Sequence, residues 1–163
     1  MSILIKGGRI INPATDMDMV ADLLIENDKV VRIDENIDVK TDETIDAAGC
    51  YVMPGFVDLH VHFRDPGFTY KEDIITGAKA AAKGGFTTVV CMANTKPVVD
   101  NLETLEYVQK KGEATRIHVL QTAAISKGLA GKELVDMESL AKAGAAGFTD
   151  DGIPLMDEEL LLQ

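Results

Sequence analysis

Past Pro54-Gly55, runs of strand character alternate with helical stripes, and that rhythm leaves few folds open. A strand pattern covers 56–63. A helix pattern follows over 71–83, with Ile74, Ile75, Ala78, Ala81 and Ala82 on one stripe and Gly84-Gly85 as its stop. A strand dense in β-branched residues comes next at 87–92. Asp100 and Glu103 then make a capping-box-like start for a helix carrying Leu102, Leu105 and Val108, with Gly112 past its end. A third strand is expected over 116–123, followed by a helix that Asp136 caps and Gly144 stops. A fourth strand is expected over 145–149, and Asp157 caps one more helix that runs toward Gln163. Strand and helix in this succession specify parallel βα units.

The expected fold class is therefore α/β. A complete (β/α)8 TIM-type barrel needs roughly 250 residues, so residues 55–163 are expected to hold only its first four βα units. The last helix pattern reaches the end of the sequence without a stop signal, which reads as part of a longer protein. A complete small open α/β domain is the competing reading. Residues 1–54 have a different grammar: short strands at 3–5, 22–25, 29–33, 44–46 and 51–53, with a tight turn at Glu26-Asn27-Asp28.

The net charge of −11 comes with no basic patch, which argues against a nucleic-acid partner. No apolar run reaches membrane-spanning length, and the opening MSILIKGGRI lacks the features of a signal peptide. Cys50 and Cys91 both sit in apolar, strand-like runs. They are expected to be reduced, buried thiols of a cytoplasmic protein.

The chemistry concentrates in Asp58-Leu59-His60-Val61-His62-Phe63-Arg64-Asp65-Pro66-Gly67. Strict alternation along a strand puts Asp58, His60, His62 and Arg64 on one face, and Val57, Leu59, Val61 and Phe63 on the other. Two imidazoles two residues apart can converge on one divalent metal. A bare His-x-His triplet is more often an ordinary pair. Here it lies on the first strand of a βα series, where the carboxyl ends of strands collect active-site residues. At the end of the second strand, Asn94 is either a ligand-facing residue or a plain turn asparagine. At the end of the fourth, Asp150 and Asp151 are either metal ligands or a capping and turn pair. If Phe148 faces the helices, Asp151 faces inward and is the better ligand candidate. His118 has no partner pattern and reads as a core or strand histidine.

The stretch from Met53 to His62 resembles the first barrel strand of the amidohydrolase superfamily. The extension HVHFRDPG, with Tyr70-Lys71-Glu72-Asp73, KGGFTTVVCMANT and GFTDDG, resembles the longer-chain class of bacterial dihydroorotases along essentially the whole sequence. The resemblance implies a metal-dependent hydrolase barrel preceded by part of a small β-sandwich, with residues 1–54 as its amino-terminal part. It implies two divalent ions, usually zinc. His60 and His62 would bind one, Asp151 would bridge both, and Arg64 and Asn94 would hold the substrate carboxylate. The implied reaction is reversible hydrolysis of dihydroorotate to N-carbamoyl-L-aspartate in pyrimidine biosynthesis, in the cytoplasm.

Ala93 departs from the family, which usually has proline before the asparagine. The family's later metal-binding histidines and its general-base aspartate lie on strands beyond Gln163. Residues 1–163 alone are therefore expected to be inactive. The family also leaves open a homodimer and an association with aspartate transcarbamoylase. Two alternatives stand beside the lead reading: a hydantoinase- or allantoinase-type cyclic amidohydrolase, and a non-catalytic scaffold subunit for aspartate transcarbamoylase.

Overall fold

In the computed structural model, which describes residues 1–162, the chain divides into Met1–Pro54 and Gly55–Gln163. In the first unit, β1 (Ser2–Asn12) lies at the centre of a mixed sheet. It pairs antiparallel with β2 (Met17–Glu26) and parallel with β4 (Glu43–Asp46) and β5 (Tyr51–Val52), while β3 (Lys29–Asp34) pairs antiparallel with the outer side of β2. Asn27 and Asp28 join β2 to β3 with φ of 49° and 61°. Two left-handed residues match the twist of a two-residue hairpin, and short polar side chains tolerate them.

The β1–β2 register shifts between Ile5 and Gly8, with Gly7 at φ 69°. The bulge reverses the parity of the strand. Leu4 joins Leu24 and Ile37 in one apolar cluster, and Ile10 joins Ala21 and Leu23 in another. Buried Asp22 on β2 fixes this kink. Its carboxylate accepts from Gly7 N and from Ile37 N, each at 2.9 Å, and lies 3.2 Å from Lys6 Nζ. Cys50 overturns the expectation of a buried thiol, because it is exposed. It ends the Ala47–Cys50 turn, donating to Ala47 O and accepting from Arg9 N, one residue before β5 begins, and its side chain stays uncovered.

In the second unit, β6 (Phe56–Val61), β7 (Phe86–Cys91) and β8 (His118–Gln121) form a parallel sheet in that order. Helices α1 (Ile74–Lys83), α2 (Leu102–Gly112), α3 (Met137–Lys142) and α4 (Glu158–Leu161) follow the strands in the chain. The core gathers Ile74, Val89, Leu105, Val108, Val119 and Leu140. Each fully buried aliphatic side chain contributes roughly 1.5–3 kcal/mol.

Local chemistry sets the boundaries. α1 starts three residues later than the pattern at 71, because Asp73 caps it by accepting from Ile75 N and Thr76 N. Asn101, rather than Asp100, caps α2 by accepting from Thr104 N at 3.0 Å. Asp100 instead accepts from Gly128 N. The strand expected over 145–149 shrinks to a parallel bridge between Ala123 and Phe148. Ala143-Gly144-Ala145-Ala146-Gly147 lacks the β-branched side chains that favour an extended ladder. Among the described residues, no helix is long and apolar enough to cross a membrane.

Candidate metal centre

β6 does not alternate evenly. Its register against β7 slips between Asp58 and Val61, so that Asp58 opposes Val89 and Val61 opposes Cys91. Val89 and Cys91 both belong to the helix-covered core, and Asp58 therefore lies on the helix side of the sheet. This corrects the expectation that Asp58 shares a face with His60 and His62. The extra residue in the bulge resets the parity before the histidines. The apolar face is corrected as well: Val61 and Phe63 pack on the core, whereas Val57 and Leu59 are 56% and 70% exposed. Asp58 turns back along its own strand and accepts from His60 N at 3.1 Å.

The strand ends at Val61, so His62 stands at its carboxyl end. The two imidazole centroids are 5.1 Å apart, with ring planes at 65°. His60 Nε2 lies 3.3 Å from Asp151 Oδ1, and His62 Nε2 lies 3.5 Å from Asp151 Oδ2. One ligand atom from each of the three residues falls within 4.8 Å of the others. The side chains are 55%, 28% and 21% exposed for His60, His62 and Asp151, so the group is open on the His60 side.

Asp151 is held by its neighbour. The buried Asp150 carboxylate accepts from Ile125 N at 2.7 Å, Ser126 N at 3.1 Å and Ser126 Oγ at 2.5 Å. These bonds tie the Asp150-Asp151 pair to the loop after β8. Of the two adjacent carboxylates, Asp150 is thus an anchor, and Asp151 meets the histidines.

Asn94 completes the group from the loop after β7. Its Nδ2 donates to Asp151 Oδ2 at 3.0 Å, and its Oδ1 lies 3.0 Å from His62 Nδ1. An ionised carboxylate only accepts, which fixes the amide orientation. His62 must then donate from Nδ1, and Nε2 is the ring nitrogen that faces Asp151. Arg64 is the one candidate not drawn into these contacts among the described residues. It takes a left-handed conformation, φ 59°, and its carbonyl accepts from Phe68 N at 2.9 Å. His118 lies exposed on β8, outside the group.

Pattern reading passed over a second polar cluster beside Arg64. The Asp65 carboxylate, fully buried, accepts from Tyr107 Oη at 3.0 Å, Lys111 Nζ at 2.5 Å and Ile74 N at 3.3 Å. The available signal was the i, i+4 spacing of Tyr107 and Lys111, which puts both on one face of α2.

Residues 49–162 match the family model described as Dihydro-orotase-like. The dihydroorotase of Clostridium acetobutylicum is 58% identical over 162 residues, covering 99% of this chain and 38% of the relative. That of Clostridioides difficile is also 58% identical, over 164 residues with the same coverage. Among solved structures, the L-hydantoinase (dihydropyrimidinase) of Arthrobacter aurescens aligns with a TM-score of 0.77 at 26% identity, over 98% of this chain and 36% of that one. The chain spans about 38% of the length of the curated relatives it matches.

Proposed function

The chain belongs to the dihydro-orotase-like family, and from that premise we propose that it supplies the first metal-binding and substrate-binding elements of a dihydroorotase. The reaction is reversible opening of dihydroorotate to N-carbamoyl-L-aspartate, a step of pyrimidine biosynthesis in the cytoplasm. The convergence of His60, His62 and Asp151, with Asn94 bonded to two of them, carries this reading.

The donor set fits a divalent cation. Nε2 of His62 faces an Asp151 oxygen at 3.5 Å, a spacing at which a ring nitrogen and a carboxylate can share a cation. Two imidazoles and a carboxylate suit zinc. His60, His62 and Asp151 would hold the ion, with the remaining ligands and the general base on later strands. Bound there, zinc supplies Lewis acidity that lowers the pKa of water and polarises the ring carbonyl.

The chain's own residues prepare that chemistry. Asn94 fixes the tautomer of His62 and orients Asp151, the task of an outer partner at metal sites. The planar fork of Arg64 matches the substrate carboxylate and accounts for a preference for an acidic ring. In hydrolysis, water oxygen bonds to the ring carbonyl carbon, the ring C–N bond breaks, and the departing nitrogen takes a proton.

A hydantoinase-type activity is the second reading, favoured by the likeness to L-hydantoinase. Arg64 separates the two, since a hydantoin ring carries no such carboxylate. The complete protein should turn over dihydroorotate, ignore hydantoin and bind a divalent metal. Turnover of hydantoin alone would establish the second reading. A folded, metal-free and inactive protein under zinc-replete conditions would point to a scaffold role beside aspartate transcarbamoylase.

A further inference from the structure

We propose that Asp65, Tyr107 and Lys111 form a positioning cluster that sets where Arg64 and the Asn94 loop stand, and through them how tightly the site holds a carboxylate-bearing ring. This rests on the function proposed above and assigns that site residues outside its metal and substrate contacts.

Arg64 sits at φ 59°, a conformation that residues with a Cβ rarely adopt. Such a backbone persists only where its surroundings over-determine it. The next residue supplies that constraint. The Asp65 side chain is completely buried and uses both carboxylate oxygens, on the first amide of α1 and on two side chains one turn apart on α2. A carboxylate this deep is tolerable only when paired and hydrogen-bonded, and here Lys111 and Tyr107 satisfy it. The same contacts raise the Lys111 ammonium above its ordinary range, chiefly through the bond to Asp65.

The turn continues toward Asn94. Lys96 N donates to Pro66 O at 3.0 Å. Gly67 approaches Lys96 so closely that a Cβ there would lie 1.9 Å from the Lys96 carbonyl oxygen. One rigid junction therefore joins the loop of Arg64 to the loop of Asn94, and the Asp65 cluster fastens it to two helices. None of the three residues touches His60, His62 or Asp151 among the described residues, so loosening the cluster should spare the metal ligands.

The test is steady-state kinetics of the complete, zinc-loaded protein with dihydroorotate, for Lys111→Met, Lys111→Arg, Tyr107→Phe and, as a reference, Arg64→Ala. The expected result for Lys111→Met is a KM raised about tenfold, kcat changed less than about threefold and unaltered zinc content. Tyr107→Phe should shift KM the same way by a smaller factor, and Lys111→Arg should restore KM to near the wild-type value. If Lys111→Met fails to fold, Tyr107→Phe carries the same reading. A KM that stays at the wild-type value in folded Lys111→Met or Tyr107→Phe, while Arg64→Ala raises it, overturns the positioning role. So does a fall of kcat in step with thermal stability at constant KM. Absence of dihydroorotate turnover by the wild-type protein would instead overturn the proposed function, and this inference with it.

Discussion

The side-chain amide of Asn94 donates to the Asp151 carboxylate at 3.0 Å across 57 residues of sequence. Because the other end of the same amide meets His62, one neutral side chain orients two candidate ligands. Replacing Asn94 with alanine frees the imidazole to flip and the carboxylate to rotate. Outer partners of this kind are worth about 10–100-fold in metal affinity. Chelator competition on the complete protein should show a loss of that size for Asn94→Ala. Unchanged affinity would mean that Asn94 serves the substrate alone.

Removing both imidazoles is the harsher test. His60→Ala combined with His62→Ala should abolish zinc binding and turnover in a protein that still folds, since neither histidine belongs to the apolar core. Arg64→Ala should leave the zinc in place and mainly raise KM. Full zinc occupancy in the double variant would move the metal elsewhere.

Asp22 links the first unit to pH. The amide of Ile37, joined by that of Gly7 and by Lys6, holds its carboxyl below the usual carboxylate range. A depressed folded-state pKa contributes stability that is present above the unfolded value of about 3.9 and lost as pH falls through the folded value. Asp22→Asn should therefore weaken folding near neutrality, by about 2 kcal/mol for the lost charge-assisted bonds, and flatten the acid limb below about pH 4. Urea titrations from pH 2 to 7 read both effects. An equally steep acid limb in the variant would clear Asp22 of the role.

The two thiols should part company. Burial pushes Cys91 up to about 12, whereas Cys50 is exposed. A thiol acts as a nucleophile through its thiolate. At pH 8 an aromatic disulfide reagent should titrate one cysteine rapidly in the native protein and the second only after denaturation. Two fast equivalents would contradict the packing around Cys91.

Much of this was legible in the residues. Period and punctuation placed most strands and helices, Asp136 and Asp157 cap where the pattern put them, and His60, His62, Asn94 and Asp151 meet in space. The face of Asp58 was misplaced because alternation counts parity, and the bulge after Asp58 adds a residue that a linear pattern does not reveal. Asn101 outcompeted Asp100 for the α2 cap because a carboxylate one residue away had a distant amide to satisfy. The spacing of Tyr107 and Lys111 on α2 was visible, but not their acid, because Asp65 lies 42 and 46 residues before them.

The central place of β1 in its sheet has a consequence for synthesis. Within this unit the strand is made ahead of its parallel partners β4 and β5, which follow some forty residues later. The earliest-made segment of that unit must wait, unpaired along one side, for the last. Long-range pairing of this sort is slow and leaves an open edge meanwhile. An amino-terminal truncation as short as the first strand would deprive three others of the neighbour they are built against.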